Sequence, residues 1–124
     1  MLARLVLLLS GAAFLAVGLP FLVDPASTAA RVDLTLSSAL ADNDVRAVYG
    51  GLQAALGVLL VAAATAPSAA SAALVLQQVS FGGLVLGRAA SWLAVGPPGP
   101  LGVALLAAEL VGLAAGAIAR RRLR

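Results

Sequence analysis

Apolar residues fall in four long blocks along the chain, and polar residues collect in the short stretches between them. The blocks cover residues 2–23, about 45–65, about 69–95 and about 101–119. Each reaches or nearly reaches the ~20 residues that a helix needs to cross a ~30 Å hydrocarbon core. Inside a bilayer every backbone N–H and C=O must be satisfied by the chain, and a helix does this by itself. The pattern predicts an all-α integral membrane protein, a single transmembrane domain over residues 1–124, with four helices packed as an antiparallel-neighbour bundle.

The breaks support this division. Asp24-Pro25 ends the first block, and Asp24 is placed to cap a short helix that has Pro25 at its first position. Residues 24–44 mix Ser, Thr, Arg31 and Asp33 with scattered leucines, which suits short amphipathic turns at the membrane interface. Asp42, Asn43 and Asp44 offer N-cap oxygens to the second long helix. Ala66-Pro67-Ser68 makes a short turn, and Gly96-Pro97-Pro98-Gly99-Pro100 cannot continue a helix. A secretory signal also starts basic and turns apolar. Here the run is long and ends in Phe21-Leu22-Val23 without a cleavage pattern, so it reads as a retained transmembrane helix that Pro20 kinks near its end.

Polar groups enter one block in an ordered way. Taken as an α-helix, Arg46, Tyr49, Gly50, Gln53 and Gly57 fall on one stripe. A polar stripe in a lipid-facing helix needs protein partners. The third and fourth blocks each supply one charge, Arg88 and Glu109.

Composition narrows the class further. Hydrophobic residues are 62% of the chain and charged residues 10%, against about 25% charged in a soluble domain. A water-facing surface cannot be assembled from this set. The formal charge of +3 comes from arginine alone, and Arg120, Arg121, Arg122 and Arg124 crowd the last residues. With Arg4 at the other end, the positive-inside rule places both termini in the cytoplasm, with the 24–44 segment and the 96–100 turn outside. The basic tail has no interleaved aromatics, which argues against a nucleic-acid partner. Cysteine and histidine are absent, which removes thiol chemistry and leaves a metal site only a few carboxylates and one Met. No metal and no cofactor is expected.

At ~1.5 Å per residue, Arg88 lies roughly 10 Å inside the outer end of its helix and Glu109 about 12 Å inside its own. Arg46, near the outer end of the second helix, shares that half of the membrane. A charge at the bilayer centre costs at least ~2.5–3.5 kcal/mol on insertion scales, so these side chains are expected to face inward and meet. Gly102, Leu105, Glu109, Gly112 and Gly116 share a face, as do Gln77, Phe81, Leu84, Arg88 and Ser91 beside Gly83 and Gly87. The Gly83/Gly87 and Gly112/Gly116 spacings, with Gly50 and Gly51, mark the helix-packing positions. Gln77 and Gln78 read as interhelical hydrogen bonders and Trp92 as an interfacial anchor.

Two readings of the charges stand side by side. In one, Arg88 and Glu109 are a structural pair and Arg46 is held by Asp42 or Asp44. In the other, Arg46, Tyr49, Gln53, Arg88 and Glu109 line an outward-facing polar pocket. Two arginines against one glutamate leave a positive charge over, which an anionic headgroup or carboxylate would balance.

The run Arg46-Ala47-Val48-Tyr49-Gly50-Gly51-Leu52, followed by Gly87-Arg88 and by Glu109 in the last block, resembles a bacterial membrane family known as domain of unknown function 4345. The resemblance covers almost the whole chain, and Arg-x-x-Tyr-Gly-Gly is its most specific part. It implies a small four-helix inner-membrane protein with Arg46, Tyr49, Gly50, Gly51, Arg88 and Glu109 as characteristic positions, and it implies no activity. The expected function is a non-enzymatic binding module for an anionic lipid headgroup or small amphiphile. The alternatives are a structural subunit of a larger membrane complex, and a proton-coupled small transporter or intramembrane acid–base enzyme using Glu109. Small-residue faces allow a homo-oligomer without requiring one.

Overall fold

The computed structural model describes residues 1–123, and no strand occurs among them. The elements are α1 (Leu2–Val23), α2 (Pro25–Ala30), α3 (Ala39–Val45), a π-helical segment (Arg46–Leu52), α4 (Gln53–Ala63), a 3-10 turn (Pro67–Ala69), α5 (Ala70–Val95) and α6 (Pro100–Arg121). Four continuous helical stretches are long and apolar enough to cross a membrane: Leu2–Val23, Ala39–Ala63, Pro67–Val95 and Pro100–Arg121.

The boundaries have local causes. Asp24 caps α2 by accepting from the Ser27 N–H at 3.2 Å, with Pro25 at the first helical position. After α2 the Leu34 N–H returns to the Ala29 carbonyl at 3.0 Å, while Asp33 takes φ 58, a left-handed C-terminal closure. The second spanning stretch starts at Ala39, earlier than residue 45. Ser38 supplies its cap by accepting from the Ala41 N–H at 3.1 Å. Asp42, Asn43 and Asp44 therefore lie inside α3 and not at its cap, a correction to the expectation from sequence. Ser38 reaches the open N–H groups first, and of the acidic pair only Asp42 falls in the first turn, where the dipole rewards it. Gly96 ends α5 at φ 102, a conformation glycine adopts without strain, and its N–H bonds the Trp92 carbonyl at 3.0 Å. α6 runs on to Arg121, taking Arg120 and Arg121 into its last turn.

The chain divides into two compact units. The first, Leu8–Ala62, contains most of α1, the segment 24–44, the π-helical segment and most of α4. Its helices meet backbone to backbone. A methyl group added at Gly18 would lie 2.5 Å from the Ala54 nitrogen, one at Gly57 2.8 Å from the Gly11 carbonyl oxygen, and one at Gly50 2.7 Å from the Leu22 nitrogen. Phe21, Ala29 and Val45, with Leu36 against them, form a small apolar core between the end of α1 and the segment 24–44.

The second unit holds Met1–Leu7 and the chain from Ala63 onward. Its centre is the α5–α6 hairpin. Arg88 meets Glu109, Phe81 meets Gly112, Gln77 meets Gly116, and Gln78 meets Arg120, so the two helices run antiparallel. Buried positions occupy one half of the hairpin, Ala70 to Phe81 on α5 and Glu109 to Ala119 on α6. Residues 82–108, on both sides of the Gly/Pro turn, include no buried position.

Candidate functional site

The Arg-x-x-Tyr-Gly-Gly stretch forms the π-helical segment. Each i→i+5 bond encloses one residue more than an α-helical bond, so the α-helical stripe of Arg46, Tyr49, Gly50, Gln53 and Gly57 does not persist through it. Gly50 and Gly57 turn into the contact with α1 and are buried, whereas Tyr49 is half-exposed with its ring 5.5 Å from that of Phe21. The Arg46 guanidinium reaches the end of α1. Nη1 donates to the carbonyls of Leu22 at 2.7 Å and Val23 at 3.3 Å, and Nη2 donates to Asp42 Oδ2 at 3.4 Å. A cation on the last carbonyls of a helix meets the negative end of its dipole. Arg46 thus fastens the start of the second spanning stretch to the end of the first helix.

Arg88 and Glu109 face each other across the hairpin. Arg88 Nε donates to both carboxylate oxygens of Glu109, at 2.9 and 2.8 Å. The glutamate side chain is 8% exposed and that of Arg88 32%. The guanidinium therefore meets the carboxylate through its inner nitrogen. Among the described residues, no acceptor meets Nη1 or Nη2.

The five residues expected to line one pocket are split between the units. Arg46, Tyr49 and Gln53 belong to the first, Arg88 and Glu109 to the second. Each arginine also has a carboxylate of its own, Asp42 for Arg46 and Glu109 for Arg88. Of the two acidic residues expected to hold Arg46, Asp42, one helical turn before it, makes the contact.

The family model for Domain of unknown function (DUF4345) matches residues 2–119. The chain belongs to the DUF4345 family. No curated protein and no solved structure gives a significant match.

In this DUF4345 chain the remaining polar side chains tie α5 to α6. Gln77 is fully buried and donates through Nε2 to the Gly112 carbonyl at 2.8 Å. Gln78 Oε1 accepts from Arg120 Nη1 at 3.4 Å. Gly112 makes room for the Phe81 ring and Gly116 for the Gln77 side chain. Gly83 and Gly87 have no neighbouring heavy atom within 4 Å of an added methyl group, and Gly51 meets only the Arg46 carbonyl oxygen at 3.8 Å. Sequence reasoning missed Gly11 and Gly18, which carry the α1 side of the first unit's contact. Their seven-residue spacing equals that of Gly50 and Gly57, and this matched pair of intervals is the signal that pointed to them.

Proposed function

We propose that this DUF4345 protein is a non-enzymatic membrane binding module that holds the phosphate of a membrane amphiphile on the terminal nitrogens of Arg88. The observation that supports it is the one-sided ion pair: Glu109 is served entirely by Nε, and Nη1 and Nη2 meet no acceptor among the described residues. Donors left unmet within a membrane-spanning segment cost several kcal/mol each in hydrocarbon. A phosphate presents two oxygens that match the planar fork of a guanidinium. Glu109 fixes the guanidinium plane and compensates its charge, and the apolar side chains of Leu86 and Leu93, exposed on the same helix, suit acyl chains. On this reading, Arg4 and the arginines at the end of α6 keep both chain ends on the cytoplasmic side, and the phosphate belongs to the opposite leaflet.

Native mass spectrometry of the detergent-solubilised chain tests this. Wild-type protein is expected to retain phospholipid, Arg88→Ala to lose it, and Arg46→Ala to keep it, because the Arg46 guanidinium already has two carbonyls and a carboxylate. Equal retention by Arg88→Ala and wild type defeats the reading. A second reading, an accessory subunit of a larger membrane complex, draws on the open surface at Gly82, Gly83 and Gly87. It predicts that a stoichiometric partner copurifies in mild detergent and is lost on Gly83→Leu.

A further inference from the structure

We infer that the ligand of Arg88 is a glycerophospholipid whose headgroup carries its own ammonium, bound with the phosphate on the Arg88 fork and the ammonium over the Trp92 ring. This rests on the binding reading above and narrows it to one lipid class.

Charge is the first support. Within residues 70–119 the only ionisable side chains are Arg88 and Glu109, and they are paired. Arg120 and Arg121 lie about 11 residues beyond Glu109 on α6, roughly 16 Å away, so around Arg88 the hairpin offers strong hydrogen-bond donors but no net positive charge. A phosphodiester that arrives without a counter-charge adds one uncompensated negative charge to an apolar site, which is costly. A headgroup that carries its own ammonium adds none.

The position of Trp92 is the second. Trp92 lies four residues after Arg88 on the uninterrupted helix α5, so both side chains share a face. It stands about 6 Å nearer the Gly/Pro turn. Trp92 is 40% exposed and so presents area to a ligand. Trp is the best ring for a cation–π contact, and ammonium headgroups are among its commonest partners. One turn of α5 thus offers a donor fork below and an aromatic face above, in the order in which a phospholipid presents phosphate and ammonium.

The full chain in nanodiscs of equal phosphatidylcholine and phosphatidylglycerol, with matched acyl chains, tests this when the lipids still bound after transfer to the gas phase are counted. Wild type is expected to enrich phosphatidylcholine on the order of tenfold. Glu109→Gln leaves Arg88 with an uncompensated charge and is expected to reverse the preference toward phosphatidylglycerol. Trp92→Leu is expected to retain phospholipid while losing most of the choline preference. Arg88-dependent retention with phosphatidylglycerol preferred by wild type overturns the inference and leaves the binding reading intact. So does an unchanged ratio in both Glu109→Gln and Trp92→Leu. Retention that does not depend on Arg88 overturns the binding reading, and the inference falls with it. The wild-type ratio decides the case even if a variant fails to fold.

Discussion

The two helix pairs of this protein each contain an arginine and a set of glycines, and they use them in opposite ways. In the unit Leu8–Ala62 the glycines bring two backbones together, so α1 and α4 touch with almost nothing between them. Arg46 there has acceptors at both terminal nitrogens and acts as a clamp on the end of α1. In the hairpin, Gly112 and Gly116 receive side chains from the facing helix, the Phe81 ring and the Gln77 amide. Arg88 there spends Nε on Glu109, and its two terminal nitrogens meet no acceptor among the described residues. A membrane arginine is expensive in either place. Where the protein meets both terminal nitrogens the residue is structural, and where it meets neither the residue is a candidate for binding.

The largest test of this contrast is Glu109→Ala. It strips Arg88 of its only protein partner among the described residues and is expected to destabilise the chain by about 3–5 kcal/mol, as breaking a buried pair does. Unfolding by increasing SDS in mixed micelles measures it. A cost below ~1 kcal/mol, the level of exposed ion pairs, would mean that Arg88 and Glu109 do not need each other. Next in size, Gly18→Val is expected to cost about 1–3 kcal/mol by forcing two backbones apart, with the same assay as readout. Gly83→Ala is its counterpart and carries the opposite sign. It meets open space within the hairpin and gains up to ~1 kcal/mol of helix propensity, so a loss there would mean that the Gly83 surface is covered by a partner. The smallest effect is Gln77→Leu, which removes the bond to the Gly112 carbonyl and should cost ~0.6 kcal/mol, up to ~1.7. Leucine keeps the volume, so a cost above ~3 kcal/mol would show that the amide does more than this bond.

Much of the local structure can be read from the chain alone. Asp24-Pro25 has the chemistry of a helix start, and the structure uses it as one. The Gly/Pro run ends α5 at Gly96, where the backbone needs a positive φ. Asp42 to Asp44 misled, because three side chains with cap chemistry stand there while Ser38, the second of two adjacent serines, does the capping. The π-helical segment was invisible to a reading in 3.6-residue steps, since Arg46 to Leu52 differ from their α-helical neighbours in bonding rather than in composition. The pairing of Arg46 with the Leu22 and Val23 carbonyls was hidden for a different reason. Backbone oxygens leave no mark in a sequence, so a search among side chains finds Asp42 and misses the closer acceptor.

Sequence by itself determined that this chain is helical, that four of its stretches are apolar enough to span a membrane, and that its few intramembrane charges must find partners. Those conclusions follow from per-residue costs in hydrocarbon, which add along the chain and need no fold. Tertiary structure alone decided which nitrogen of each arginine is satisfied and which glycines touch backbone. These depend on angles and on fractions of an ångström between segments far apart in sequence. The distinction between Arg46 the clamp and Arg88 the open fork exists only at that level.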